Sequence, residues 1–189
     1  PPSCPASADI PDNGAVDGLE IIRRDGAPDH GPGSGDGWVK TVEGGSYWGL
    51  YGAAGLLLRH VDQSGVARFL LAQRSAKVHR GHGDWAIPGG AIDRDEHSLD
   101  AALREFEEEI GRVPDGLSVR GRHVVEPLVG VWSYHTWCAD VTEMPMYHAT
   151  LSWENDAADW FTHELMTALS LFGPLVSALP ELLAIFDSQ

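Results

Sequence analysis

The sequence predicts an α/β fold, and three observations carry that prediction. Ala53-Ala54-Gly55-Leu56-Leu57-Leu58 and Ala67 to Arg74 are apolar runs of strand length on either side of the polar turn Asp62-Gln63-Ser64-Gly65, which together read as a hairpin. Beyond Ser98 the apolar period lengthens to that of a helix, because Leu99, Leu103, Phe106 and Ile110 fall on one face at about 100° per residue. With 189 residues, 43% of them hydrophobic, the chain is long enough to bury one core.

Taken in order, residues 1–45 stand apart as an extension rich in Gly, Pro and Asp, and residues 46–189 form the expected domain. Gly31-Pro32-Gly33-Ser34-Gly35-Asp36-Gly37 is the clearest linker-like stretch, and Leu19 to Arg24 reads as one short strand inside the extension. The extension is either flexible or an arm that covers the sheet or the partner subunit of a homodimer. After the hairpin, Ser98 is the expected N-cap of the helix, Asp100 sits in its first turn where the macrodipole favours an anion, and Gly111 supplies the C-cap. About three turns are predicted. Ser118 to Leu128 and Val129 to Val141 read as strands. Leu169 to Phe186 is apolar, but Gly173, Pro174, Pro180, Glu181 and Asp187 interrupt it, so a terminal amphipathic helix is expected rather than a membrane span.

The helix carries the chemistry. Glu105, Glu108 and Glu109 share an arc roughly 100° wide opposite the apolar face, where like charges at i, i+3 and i+4 repel. Arg104 lies one turn before Glu108 and can pair with it, yet one guanidinium cannot neutralise three or four carboxylates. A divalent cation can. All-oxygen donors suit Mg²⁺ or Mn²⁺ rather than zinc. A solvated acidic face is the other meaning of such a run, and residue types alone leave the two open.

Spacing separates them. Gly90, Glu96, Arg104, Glu105, Glu108, Glu109 and Gly111 fit the pattern G-x5-E-x7-R-E-U-x-E-E-x-G-U, where U is a bulky aliphatic residue. Seven fixed positions arise by chance on the order of once in a million chains of this length. The segment resembles the Nudix box, the signature of the Nudix (MutT-like) hydrolases. Phe106 stands where an aliphatic is usual and Arg112 replaces the last one, but neither departure touches a charged position. Trp85-Ala86-Ile87-Pro88-Gly89-Gly90 looks like the strand and tight turn that lead into the box, and Glu154 to Phe161 looks like the family's late strand. The resemblance covers roughly residues 50 to 172.

That resemblance implies an α/β/α sandwich around a mixed β-sheet, with the box as loop, helix and loop. It also implies a reaction: water attacks phosphorus in a nucleoside diphosphate linked to another group X, and the pyrophosphate bridge is cut. Glu105, Glu108 and Glu109, with the backbone carbonyl of Gly89 or Gly90, are then the expected ligands of Mg²⁺ or Mn²⁺, which neutralises phosphate charge and activates water. Arg104 is expected to orient a glutamate by charge-assisted hydrogen bonds. Glu105, Glu108 and Glu154 are candidates for the general base, and Glu96 is expected to support the loop.

A formal charge of −15 argues against a nucleic-acid polymer as partner, while a small nucleotide-derived substrate remains compatible because metal reverses the local sign. Cys4 and Cys138 suggest neither a disulfide framework nor a zinc site, and Pro1 to Gly14 lacks the basic start and apolar run of a signal peptide, so a cytoplasmic protein is expected. Arg74, Lys77, His79, Arg80 and His82 gather basic character just before the box, and Arg74 and Arg80 are the candidates for binding substrate phosphates. Residues 70–75 with Ile87-Pro88-Gly89-Gly90 have a partial likeness to the coenzyme A pyrophosphatase branch, and Pro127 stands near a proline of ADP-ribose pyrophosphatases. Trp132, Tyr134 and Trp137 either stack on a ring or fill the core; Trp132 and Tyr134 share one face and Trp137 takes the other. Against a metal-dependent pyrophosphohydrolase stand a catalytically silent nucleotide or nucleotide-sugar sensor and an isomerase of the isopentenyl diphosphate type. The isomerase would require a catalytic cysteine near the hairpin.

Overall fold

The computed structural model describes residues 14–16, 18–23 and 33–188. Cys4, the Pro1 to Gly14 leader reading up to residue 13, Arg24, and Gly31 and Pro32 of the linker-like stretch lie outside them. Two sheets form. β1 (Gly14–Val16), β2 (Leu19–Arg23), β3 (Gly37–Thr41) and β4 (Ser46–Trp48) make an antiparallel sheet in that order. The larger sheet is built on β5 (Ala53–Val61) and β6 (Ala67–Arg74), continues with β9 (Ser118–Leu128), β10 (Trp132–Asp140) and β11 (Asn155–Phe161), and has the order β11-β6-β5-β10-β9. Two short strands, β7 (Trp85–Ala86) and β8 (Gly89–Ala91), add to β6 and β5. β5 and β10 run parallel and their other large-sheet pairings are antiparallel, so the sheet is mixed.

Strand β5 is an apolar run rather than an alternation because both of its faces are covered. Leu56 and Leu58 pack with Ala101, Ala102 and Phe106 of α1 (Ser98–Glu109) and with Ile110 just after it, while Leu57 packs on the other side with Leu175, Leu182 and Phe186 of α3 (Gly173–Asp187). This is the expected α/β/α sandwich. A short helix, α2 (His163–Met166), precedes α3 and sends Met166 into the second layer. Helix α3 runs through Pro180, whose position on its exposed side tolerates the lost backbone donor. Among the described residues no helix is long and apolar enough to cross a membrane.

The β5–β6 turn is held by Asp62, whose Oδ1 accepts from the Ser64 and Val66 amides at 2.9 and 3.0 Å, with Gly65 at φ 83°. Expected element ends move by a few residues. Strand β10 begins at Trp132 rather than Val129, because Leu128 to Val131 is a turn with Gly130 at φ 71°. The N-cap of α1 is His97 rather than Ser98: its ring nitrogen accepts from the Leu99 amide, and Ser98 is already helical and buried. The C-cap is Ile110 rather than Gly111, which follows it at φ 132°, and Val113 packs on the α1 cluster.

Residues 33–48 lie against the large sheet. Val39 and Tyr47 pack with Ala53, Trp132 and Tyr134, and the β3–β4 hairpin straddles residue 45, where composition changes. Segment 33–35 is pinned to the loop before α1: Arg94 N donates to Gly33 O at 2.8 Å and Gly35 N to Asp93 Oδ1 at 2.7 Å.

At the far end of the sheet, Asp140 receives Arg59 Nε at 2.7 Å, Arg59 Nη2 at 3.0 Å and Arg120 Nε at 2.6 Å, tying β5, β10 and β9 together. Burial alone would raise its pKa, but these charged hydrogen bonds outweigh it and hold the carboxyl below the usual 3.8. A depressed folded pKa stabilises above the unfolded value and that contribution is lost as pH falls through the folded one. Asp140→Asn is therefore expected to cost about 2 kcal/mol at pH 7 and progressively less toward pH 3, read from urea midpoints at the two pH values.

Candidate active site

Glycine sets the approach of helix to sheet. β8 pairs with β5 through Gly89↔Gly55 and Gly90↔Ala54, and a Cβ at Gly90 would collide with the Glu105 carboxylate. At Gly89, φ is 157° and a Cβ would strike the Ala54 carbonyl. The bare backbone lets α1 lie close to β8, with the Glu105 carboxylate against Gly90 and Glu109 accepting from the Gly89 amide. The polar arc of the helix is thus turned inward: Glu109 is 8% exposed, and the Glu105 side chain retains only 14% of its accessible surface. Glu108 alone of the three points outward.

Arg104 organises this arc. Its Nε and Nη2 bind the two oxygens of Glu96 at 2.9 Å each, its Nη1 binds Glu105 Oε1 at 2.8 Å and lies 3.5 Å from Glu108, and Nη2 also donates to Ala91 O at 2.9 Å. Glu96 in turn accepts from the Asp93 amide at 3.0 Å, which is the expected loop support. Burial raises the Glu96 pKa, but the Arg104 and Asp93 hydrogen bonds prevail and leave it lowered. The expected Glu108 pairing is the weakest of the set, since the guanidinium fork is committed to Glu96.

Beyond Arg104 the charges crowd. Burial lifts the Glu105 carboxyl to about 7, with Arg104 opposing and the charges of Glu108 and Asp36 adding. Glu109 is raised well above the usual range, first by burial and then by Glu154 and Glu105; the Gly89 amide, 3.2 Å from its Oε2, and Arg74 pull the other way. The fold therefore brings the distant Glu154 beside the box. Its segment is fixed by Ser152 N on Glu109 O and Ser75 N on Glu154 O, both at 2.8 Å, next to Arg74, which pairs with Asn155. Tyr134 stands over Gly55, and its hydroxyl is held protonated by burial and by the nearby Glu109 charge.

Two buried carboxylates with a third acid nearby leave negative charge that Arg104 and Arg74 do not balance, and the donors are all oxygen. Among the described residues no three acidic, His or Cys side chains already converge as a closed metal cage. Mg²⁺ does not require one, because it keeps several waters and takes phosphate oxygens from its substrate. The residues fit such an ion. Among the described residues the one cysteine, Cys138, is free and buried, with its thiol pushed up to about 12 by desolvation.

Of the residues selected from sequence, Glu105, Glu108, Glu109, Gly90, Arg104, Glu154 and Arg74 are assembled around one site. Arg80 stands apart from the carboxylates; its carbonyl accepts from Arg74 Nε at 3.0 Å while its guanidinium faces Trp38. Sequence reading missed Asp36, placed in a glycine-rich stretch that gave no signal, and it left Tyr134 between core and ligand. Trp132 is core, donating its indole N–H to Gly49 O at 2.9 Å, and Trp137 packs on the α1 side, as strand spacing predicts. Pro127 is exposed near the end of the edge strand β9, a position where a sheet tolerates proline.

Comparison with known proteins identifies the family and the fold. The sequence matches the family model of the NUDIX domain over residues 51–181. A Mycobacterium tuberculosis protein named "Putative 8-oxo-dGTP diphosphatase 3" is 42% identical over 142 residues, which cover 69% of this chain and 65% of that protein. The chain thus spans slightly under two thirds of that relative's length. A Bifidobacterium longum protein named as a nucleoside triphosphate pyrophosphatase/Nudix hydrolase fusion is 38% identical over 103 residues, 54% of this chain and 21% of its own. Among solved structures, a Nudix hydrolase from M. smegmatis, RenU, superposes with a TM-score of 0.71 at 33% identity, covering 82% of this chain and 96% of that one. A C. elegans Ap4A hydrolase shares the fold, with a TM-score of 0.57 at 24% identity over 72% of this chain and 99% of its own.

Proposed function

The chain belongs to the Nudix family, and from that premise we propose that it is a divalent-metal-dependent pyrophosphohydrolase acting on a small nucleoside diphosphate derivative. The observation that carries the reading is the pair of buried carboxylates, Glu105 and Glu109, with Glu154 beside them and Arg104 clamped to Glu96. Glu105, Glu108, Glu109 and the Gly90 carbonyl would hold Mg²⁺ or Mn²⁺. When bound, that ion supplies charge neutralisation on non-bridging phosphate oxygens and a more acidic water.

The protein's own groups do the rest. Arg104 fixes the Glu105 carboxylate through Oε1 and leaves Oε2 against Gly90. Glu105, Glu108 and Glu154 are the carboxylates positioned to take the proton of the attacking water, and Arg74, whose charge reaches Glu109, steadies substrate phosphate. Desolvation on the sheet side strengthens each of these interactions. A homodimer and a cytoplasmic setting belong to the same reading, and sedimentation equilibrium tests the first.

A panel of 8-oxo-dGTP, ordinary nucleoside triphosphates, ADP-ribose, dinucleoside polyphosphates, nucleotide sugars and coenzyme A, incubated with protein and Mg²⁺ or Mn²⁺, tests the activity. Cleavage at a phosphoanhydride, identified by product mass and lost with EDTA, is expected for at least one member; 8-oxo-dGTP is first because the mycobacterial relative is named for it. Metal-replete protein inert to the whole panel would point to a sensor.

A further inference from the structure

The β3–β4 hairpin carries two aromatic layers, and only one belongs to the core. Val39 and Tyr47 are cross-strand partners that pack inward on Ala53 and Trp132. Trp38 and Trp48, the adjacent partners, project from the opposite face with ring centroids 5.1 Å apart, edge to face. Against them stands the 75–84 loop, which carries Lys77, His79, Arg80 and His82. His79 meets Trp38 edge to face at 5.3 Å, and the Arg80 guanidinium lies 5.9 Å from the same ring while donating to Ser46 O at 3.4 Å. His79 and Arg80 are exposed and both indoles are partly exposed.

Two segments link this surface to the carboxylate site. Trp38 follows the segment pinned to the box loop, and within that segment Asp36 contributes to the field on Glu105. Arg74 joins Arg80 through a hydrogen bond to its carbonyl, and its charge reaches Glu109. Aromatic rings beside cations match a ligand that joins a flat base to phosphates: the base stacks on the indoles and the anion pairs with the guanidinium.

We propose that Trp38 and Trp48, with His79 and Arg80, form the subsite that holds the aromatic moiety of the substrate, a nucleobase, outside the Nudix box. The subsite rests on the pyrophosphohydrolase reading for its role, but its binding is measurable without turnover. It places specificity on the N-terminal hairpin, ahead of the residues matched by the family model.

Isothermal titration with ADP, GDP and inorganic pyrophosphate in Mg²⁺ tests it on the full chain. Wild type is expected to bind at least one nucleoside diphosphate more tightly than pyrophosphate. Trp38→Ala is expected to weaken that nucleotide about tenfold or more and leave pyrophosphate within about twofold; Trp38→Phe, which keeps a stacking ring, retains most of the affinity. Arg80→Gln, a change on an exposed side chain, is expected to weaken both ligands. Unchanged nucleotide affinity in Trp38→Ala, an equal loss for pyrophosphate, or no preference for nucleotide in wild type would each overturn the subsite. Trp38-dependent nucleotide binding by a protein that hydrolyses nothing in the panel would leave the subsite standing and remove the reaction.

Discussion

Glu105→Gln and Glu108→Gln are each expected to lower kcat by about a hundredfold to ten-thousandfold without unfolding the protein. Glutamine keeps the volume of glutamate and an oxygen that accepts from Arg104, so the contact at 2.8 Å on residue 105 survives the first change. Glu108 is exposed and lies 3.5 Å from Arg104, so the second removes almost nothing structural. What both remove is negative charge, and the site needs that charge to hold a cation or accept a proton. In the metal-free protein the charge at residue 105 is unfavourable, because burial lifts its carboxyl to about 7. Melting of Glu105→Gln without metal is therefore expected at or above the wild-type temperature. Melting curves with and without Mg²⁺ separate the roles: a lost ligand abolishes the metal-induced rise, whereas a lost base leaves it intact. Wild-type kcat in both variants would remove these carboxylates from the machinery.

Arg104→Ala is expected to be the most damaging change for stability within the site, at about 3 kcal/mol. One side chain makes five polar contacts, to Glu96 twice, Glu105, Glu108 and Ala91. Its loss strands the Glu96 and Glu105 carboxylates, which retain 16% and 14% of their accessible surface. A domain of this size loses about 2–4 °C of Tm per kcal/mol, so a drop near 10 °C should appear in calorimetry. Arg104→Lys should recover less than half of it, because an ammonium cannot bind both oxygens of Glu96 and reach Glu105 as well. A fall of under about 2 °C in Arg104→Ala would show that the clamp contributes little.

These variants bracket what was legible from sequence. The box residues were readable because helical spacing and identity together specify both a periodic face and a chemistry. Glu96 could be assigned to the loop from its place before the helix. Which way the acidic arc faces was not readable: a run of glutamates reads as solvent-facing, and only the Gly89-Gly90 backbone, lying flat on β5, lets Glu105 and Glu109 turn inward. The shift of the N-cap from Ser98 to His97 has a similar origin, since either side chain can accept an amide hydrogen bond and burial of Ser98 decided between them.

Local sequence by itself determined the β5–β6 hairpin, the box helix, the strands after it and the terminal helix. Each depends on period, turn residues and caps that act over a few positions. Tertiary structure alone decided that Glu154 stands beside Glu109, that Asp36 adds to the field on Glu105, and that Trp38 meets both Trp48 and Arg80. These groups come from segments tens of residues apart, and what joins them is strand order and register: β11 on β6 brings residue 154 to Arg74, and β3 against the box loop brings residues 36 and 38 to the same end of the sheet. Charge and stacking act through space over a few ångströms, so their partners are set by how strands align rather than by what neighbours them in the chain.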